Sequence, residues 1–284
     1  MPVVNIRWYF GAKLAVSRPL LLRIAFVALF GVLGFLLRIL IPYEFKGLGA
    51  EASAVGAFAL TFLIGFRNNA AYDRWWEGRK TWGILTNNSR NFCVKFVTWF
   101  QTTPEERQEC HRLLAGFAFA LRDHLRDSAD LSKLPGFASE TDRPKHVPAY
   151  LAKKIQQLVM SIGPERRQDP LALRIMDEHI RSLLEVCGTC ERIRHTPLST
   201  SYRALLRHGM FYYLALASVL TIWDLGPVAL PAVILPAYFI IGIELAAESV
   251  EEPFGILGDD LPLDSLCMSI SRSTAEILGV AEQE

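Results

Sequence analysis

Hydrophobic residues are concentrated in four long runs along the chain, and polar stretches separate them. The only charged residues in the first run are Arg23 and Arg38. Both lie near its ends, where long basic side chains can reach the polar headgroups of a bilayer. A helix needs about 20 mostly apolar residues to cross a membrane. The pattern therefore predicts membrane-spanning helices. The runs are Pro19–Ile41, Ala52–Phe66, Met210–Trp223 and Leu225–Ile243.

The second run is short for a span, but no helix breaker follows it until Gly78. We expect Ala52–Phe66 to span the membrane and to continue as a polar helical stem. The fourth run contains Pro227, Pro231 and Pro236, which predict a turn near Asp224–Pro227 and a kinked last helix. Membrane helices tolerate proline because neighbouring groups satisfy the freed carbonyls.

Charged residues dominate the stretch Thr102–Arg207 between the second and third runs. His111–Arg126 and Leu171–Arg194 are amphipathic and predict soluble helices, while Gly136–Pro148 has the composition of a loop. The chain is thus predicted to be an all-α membrane protein with about four transmembrane helices and a helical cytosolic region. Its predicted segments are 1–82 with the first two spans, the cytosolic region 83–208, 209–248 with the third and fourth spans, and an acidic cytosolic segment 249–284.

Lysine and arginine flank the spans mainly on one side. Arg7, Lys13 and Arg18 precede the first span, whereas the two loops on the opposite side contain one basic residue, Lys46. Basic residues next to spans stay in the cytoplasm. Both termini and the middle region are therefore predicted to be cytoplasmic in a multi-pass protein of the cell inner membrane.

Charge and motifs exclude several classes of function. The chain has 30 Lys+Arg against 29 Asp+Glu, so it has no basic field for nucleic acid. Catalytic motifs such as HExxH, GxSxG or a phosphate-binding loop are absent, and the chain is not predicted to be an enzyme. The pair Cys187 and Cys190, followed by His195, would need another ligand to hold a metal. Buried small residues on a helix are the favoured interpretation of these cysteines.

Phe58, Phe62 and Phe66 recur every four residues in the second run. At about 100° per residue they form one narrow stripe on a helix. Such a stripe either packs against lipid or a neighbouring helix, or lines a pore. The polar stem that follows favours the pore, because several copies around an axis would stack three aromatic rings, and a hydrophobic constriction can gate by dewetting.

Two segments resemble the bacterial members of the bestrophin family: FRNNAAYDRWWEGRKTWGILTNNSR, residues 66–90, and EEPFGILGDDLPLDSLC, residues 251–267. The similarity runs in order from about Arg18 to about Ile270. It implies a homopentameric ion channel in the lipid bilayer, whose second helices line a hydrophobic neck for small inorganic ions. Alignment on Arg74 and the following tryptophans places Phe58, Phe62 and Phe66 at the neck.

The resemblance also implies roles for several polar residues. Asn68 and Asn69 would rehydrate or coordinate the ion next to the neck. Thr196, before Pro197, corresponds to a cytosolic aperture that carries an aliphatic residue in animal members, so a polar ring replaces a hydrophobic one here.

Animal bestrophins hold calcium near the acidic segment, and Glu252, Asp259 and Asp260 are the candidate metal ligands in this chain. Leu257 interrupts the acidic run, and Ser249 stands where an amide ligand is expected. Too few of the six to eight oxygens that Ca²⁺ prefers would then remain. We therefore expect no cofactor and a structural acidic segment that pairs with Arg or Lys, with calcium as the alternative.

Two hypotheses of function follow from the sequence. The first is a pentameric bestrophin-like channel that passes chloride and other anions, or monovalent cations, through a Phe-ringed neck. The second is a membrane-anchored helical scaffold or enzyme without a pore. A small oligomer without a continuous pore would favour the second.

Overall fold

The computed structural model describes residues 14–41, 48–162, 166 and 171–281. Within these ranges the regular elements are helical and no strand occurs, which confirms the all-α prediction. Arg7, Lys13 and Lys46, used for the predicted orientation, lie outside the described residues. The α-helices are α1 Leu14–Leu40, α2 Leu48–Trp99, α3 Pro104–Leu125, α4 Val147–Ser161, α5 Ala172–His195, α6 Thr200–Leu225, α7 Leu230–Val250 and α8 Leu263–Leu278.

In the described part of the chain, three helical segments are long and apolar enough to cross a membrane: Arg18–Leu40, Thr200–Leu225 and Pro227–Val250. They coincide with the first, third and fourth apolar runs. The second run, Ala52–Phe66, is helical as the early part of α2. Its passage through the membrane stays a prediction.

The first compact unit contains residues up to Asp73 together with Leu198–Glu251. In it α1 packs against α6 and α7. A Cβ on Gly34 would lie 2.9 Å from the Val219 Cα atom, so only glycine permits this approach of the two backbones. Ser218 Oγ donates a hydrogen bond to the Val27 carbonyl at 3.0 Å. Small residues and interhelical hydroxyl bonds are typical of helix packing in membranes.

The predicted turn between the last two spans is confirmed. α6 ends at Leu225, and Gly226 follows with φ +76°, a conformation that glycine adopts without strain. A short 3₁₀ turn, Pro227–Ala229, leads into α7. Pro236 lies inside α7.

The second unit contains Arg74–Pro197 together with residues from Glu252 onward. Its helix α3 starts with a capping box, in which the Glu106 N–H donates to Thr103 Oγ1 at 3.2 Å and the Thr103 N–H donates to Glu106 Oε2 at 2.9 Å. Pro104 occupies the first turn. Helix α3 packs against α4, α5 and α8 around large buried side chains. Prominent among these are Trp82, Phe92, Phe96, Phe117, Leu121 and Leu151.

The two units divide the chain at different points from the four predicted segments. The predicted boundary after residue 82 falls inside α2, and the unit boundary lies between Asp73 and Arg74. The physical reason is hydrogen bonding: Arg74 donates to carbonyl groups at the end of α5, and Trp75 Nε1 donates to the Asp259 carbonyl at 3.0 Å. These bonds place the later part of α2 in the second unit.

Candidate functional site

The Phe stripe is exposed along one face of α2. The exposed fractions of Phe58, Phe62 and Phe66 are 75%, 59% and 56%. The rings contact each other in sequence: Phe58 and Phe62 are stacked at 6.5 Å between centroids, and Phe62 and Phe66 meet edge to face at 4.6 Å. Thr61, Gly65 and Asn69 complete the groove that these rings line.

The two predicted asparagines differ in position although both are exposed. At about 100° per residue, Asn69 falls within the angular range of the Phe stripe, and Asn68 is turned away from it. Asn69 lines the same groove as the rings. Asp73, also exposed, continues this face by one further turn.

The opposite face of α2 is buried. It carries Leu60, Ile64, Arg67 and Ala71. Arg67 has no solvent exposure, and its Nε lies 3.1 Å from each carboxylate oxygen of Glu244 on α7. Its Nη1 lies 2.9 Å from Glu251 Oε2. Charged groups within a membrane bundle must be paired. The ion pairs therefore fix α2 against α7 and fix which face of α2 is turned outward.

The remaining acidic residues at the end of α7 are also paired within the first unit. Glu248 Oε1 lies 3.0 Å from Arg207 Nη2, and Arg203 Nη1 lies 3.7 Å from Glu251 Oε1. Glu248 Oε2 is 3.9 Å from Arg23 Nη2. Glu244, Glu248 and Glu251 thus form ion pairs with arginines of α1, α2 and α6.

Thr196, the predicted aperture residue, is held at the end of α5 by Arg74. Arg74 Nη1 donates to the Thr196 carbonyl, and Nη2 donates to the Ile193 carbonyl at 2.6 Å. These carbonyls lie at a helix C-terminus, where intrahelical partners are missing. The Thr196 side chain is exposed and donates to the Arg192 carbonyl at 2.5 Å.

The acidic segment after α7 is held by arginine and by its own backbone. Arg126 donates to the carbonyls of Phe254 and Gly255 at 3.3 and 3.0 Å. Asp260 Oδ2 accepts a hydrogen bond from the Leu257 N–H at 2.5 Å, and burial raises the pKa of Asp260 above its usual range. In the described part of the chain, Glu252, Asp259 and Asp260 do not form a group whose ligand atoms all lie within 4.8 Å of one another. Calcium binding by these three residues stays the alternative to a structural role.

Cys187 and Cys190 are buried on α5. All five cysteines of the chain are buried free thiols. Burial, and then the nearby carboxylate of Glu191, raises the pKa of Cys187 to about 12. Burial also raises the pKa of Cys190. Because the thiolate is the reactive form, these thiols are unsuited to redox exchange at neutral pH.

The sequence profile of bacterial and fungal bestrophin proteins matches residues 4–276. The chain belongs to the bestrophin family. This membership confirms the resemblance found in the two quoted segments and indicates a channel rather than an enzyme.

Relatives of this bestrophin are named voltage-dependent anion channel-forming proteins. The protein from Mesorhizobium japonicum is 33% identical over 78% of this chain and 73% of its own length. The protein from Nostoc is 30% identical over 99% of this chain and 95% of its own length.

Crystal structures of a bestrophin homologue from Klebsiella pneumoniae share the fold. One superimposes with a TM-score of 0.83 at 21% identity and covers 92% of this chain and 99% of the homologue. A single-substitution variant of the homologue gives a TM-score of 0.86, also at 21% identity, over 94% of this chain and 99% of that one.

Sequence reasoning did not identify the partners of Arg67 and Arg74. A signal for Arg67 was present, since a charge directly after an apolar run predicts an acidic partner near another span. Glu244 directly follows the last apolar run. Nothing in the sequence indicates that Arg74 binds main-chain carbonyls. Those contacts depend on where α5 ends.

Proposed function

We propose that this bestrophin assembles as a homopentamer around one axial pore in the cell inner membrane and conducts small inorganic ions down their gradient. Phe58, Phe62 and Phe66 form the neck that restricts and gates the passage. Asn69, with Asn68 beside it, rehydrates the ion, and Thr196 lines the cytosolic aperture.

The observation that carries this proposal is the exposed Phe stripe opposite a face of α2 that buries Arg67. Lipid contact alone accounts for exposed rings, but it does not account for the residues that continue the same face. Asn69 and Asp73 lie on the same exposed face of α2 as the rings. A face that passes from aromatic to amide to carboxylate suits a water-filled path that narrows at a hydrophobic constriction.

The proposed topology places both termini and the second unit in the cytoplasm, following the distribution of basic residues. The names of the relatives favour anions as the conducted ions, and monovalent cations are the alternative. The channel needs no cofactor in this proposal. If Glu252, Asp259 and Asp260 do bind calcium, chelation of calcium on the cytosolic side should change the current.

The test uses purified protein, with its oligomeric mass measured on the preparation that is used for planar bilayers. The triple variant F58A/F62A/F66A should raise the conductance and weaken gating, because it removes the rings. Phe239→Ala on α7 is the matched control, since that ring is 57% exposed and lies outside α2. A triple variant with unchanged conductance and selectivity would refute the neck.

The reversal potential under a KCl gradient identifies the ion. A value near the chloride equilibrium potential indicates an anion channel, and a value near the potassium potential indicates a cation channel. A monomer or dimer that carries no current would refute the pore and favour the membrane-anchored scaffold.

A further inference from the structure

A group of metal-ligating side chains lies in the second unit, apart from the residues of the proposed pore. His124 Nε2 and His146 Nε2 lie 2.7 and 2.9 Å from the same oxygen of Glu191, Oε1. One ligand atom of each residue lies within 4.8 Å of the other two. Among the described residues, this is the one group of three histidine, cysteine or acidic side chains that meets this limit.

Three separate elements bring these residues together. His124 lies in the last turn of α3, His146 is the N-cap of α4, and Glu191 lies near the end of α5. Cys187 lies one helical turn before Glu191, with its Sγ 3.7 Å from Glu191 Oε1. Cys187 therefore lies beside the group of three and not within it.

We propose that His124, His146 and Glu191 bind a divalent transition metal, with zinc as the first candidate and the Cys187 thiolate as the fourth ligand. Imidazole, thiolate and carboxylate together are the donors that zinc accepts, whereas calcium and magnesium prefer oxygen alone. Four protein ligands would make this a closed structural site.

Metal binding requires local adjustments at Glu191 and at Cys187. Zinc bonds of about 2.0–2.3 Å place neighbouring ligand atoms of a tetrahedron roughly 3.3–3.7 Å apart. The separations of 2.7 and 2.9 Å at Glu191 are hydrogen-bonding distances, so the carboxylate has to retreat by about half an ångström on binding. Cys187 Sγ is 3.7 Å from Glu191 Oε1 but lies outside the group of atoms within 4.8 Å of one another, so it has to move toward the histidine nitrogens on binding.

Without a metal, hydrogen bonds explain the short distances from the two histidines to Glu191. His146 Nδ1 accepts the Ala149 N–H at 3.1 Å, so the neutral ring carries its proton on Nε2 and donates it to Glu191. A metal at Nε2 requires that the ring proton move to Nδ1, which removes the cap at Ala149. Cys187 releases its thiol proton to solvent. Binding should therefore weaken as the pH falls.

A metal here would act on the proposed aperture, and this step rests on the proposed channel function. Thr196 directly follows α5, and Glu191 lies about one turn before the end of that helix. The metal would connect the end of α5 to α3 and α4. We therefore expect it to restrict the segment that presents Thr196.

The test is a zinc titration of the full-length protein, purified without a polyhistidine tag and stripped by a chelator. We expect one tight zinc ion per chain, and affinity that falls at least tenfold in Glu191→Gln and in His146→Asn. Glutamine still accepts a hydrogen bond, and asparagine still caps a helix, so both variants should fold. The control is His195→Ala, because this exposed histidine lies on the same helix as Glu191 and should leave the affinity unchanged.

Cobalt in place of zinc tests the fourth ligand. A thiolate bound to Co²⁺ gives a charge-transfer absorption band, which Cys187→Ser should abolish and Cys190→Ser should retain. Absence of the band from the original protein would refute Cys187 as a ligand.

The metal site would be refuted if zinc bound Glu191→Gln and His146→Asn as tightly as the original protein, or bound none of them. The three side chains would then form a hydrogen-bonded cluster only. The link to the aperture is tested separately, by zinc added to the cytosolic side of channels in bilayers. Zinc that binds without changing the current would retain the metal site and refute its effect on Thr196. A protein that binds zinc but carries no current would refute the channel and not the site.

Discussion

The Arg67 guanidinium and the Glu244 carboxylate form an ion pair with no solvent exposure on either side chain. The two residues lie 177 positions apart in the chain. Removing one partner of a buried pair leaves the other charge uncompensated, which typically costs about 3–5 kcal/mol. Because the pair joins α2 to α7, it both stabilises the first unit and fixes how α2 packs.

Arg67→Met should lower the apparent melting temperature in detergent by roughly 10 °C, because Glu244 and Glu251 would both lose a buried partner. The double variant R67M/E244Q should recover part of this loss, as expected of coupled residues. Glu248→Gln is the control, on the same helix as Glu244, since Glu248 is partly exposed and its ion pairs are worth about 1 kcal/mol or less. Equal losses in Arg67→Met and Glu248→Gln would contradict this account.

Local sequence patterns predicted the helices and the Phe stripe because both depend on residues close together in the chain. Three of the four apolar runs coincide with helical segments long enough to cross a membrane, and the four-residue spacing of Phe58, Phe62 and Phe66 predicted one exposed face. The partners of that helix depend on long-range packing. Glu244 could have been matched with Arg67 by charge alone, although several other arginines were equally available.

The metal-ligating group illustrates the limit of sequence patterns more sharply. His124, His146 and Glu191 follow no spacing motif, since 67 and 45 positions separate the two histidines from Glu191. The sequence drew attention to Cys187 and Cys190 instead. The fold then placed both histidines at Glu191, one helical turn after Cys187.

Arg74→Gln should loosen the segment that carries Thr196. The substitution removes charge-assisted hydrogen bonds to the Ile193 and Thr196 carbonyls, which are worth about 1.5–3 kcal/mol each. Amide exchange in the peptide 192–199 should accelerate by roughly tenfold or more. Lys80→Gln, an exposed position on the same helix, is the control. Unchanged exchange in the Arg74 variant would show that the segment is held by other contacts.

Asp73 should influence which ions pass, because it continues the face of the Phe stripe. In a pentamer, five carboxylates would surround the axis next to the neck and favour cations over anions. Asp73→Asn should therefore shift the reversal potential under a KCl gradient toward the chloride value, whatever the starting selectivity. The shift should be larger at low ionic strength, where charges are less screened.

The control for Asp73 is Glu185→Gln, which removes one exposed carboxylate from α5. It should leave the reversal potential unchanged at every salt concentration. A shift of the same size in both variants would indicate a general surface-charge effect and not a ring at the pore.

His179 should make the stability of the second unit sensitive to acid. Its Nε2 accepts a hydrogen bond from Lys95 at 2.6 Å, and its Nδ1 donates to Asn88 at 2.5 Å, so the ring is held neutral. Burial, and then the Lys95 ammonium, lowers the pKa of His179 from its ordinary value of 6.5. The unfolded chain therefore binds a proton at a higher pH than the folded one. Stability should fall as the pH decreases from about 6.5 toward the folded pKa.

Lys95→Met removes the ammonium and leaves the burial, so it should abolish part of this decline. The measurement is the apparent melting temperature of the protein between about pH 7.5 and 5.5. Lys153→Met, at an exposed position on α4, is the control. Its apparent melting temperature should decline with pH as steeply as that of the original protein. If Lys95→Met declined just as steeply, the acid sensitivity would arise from other groups, and the Lys95 charge would have no part in keeping His179 neutral.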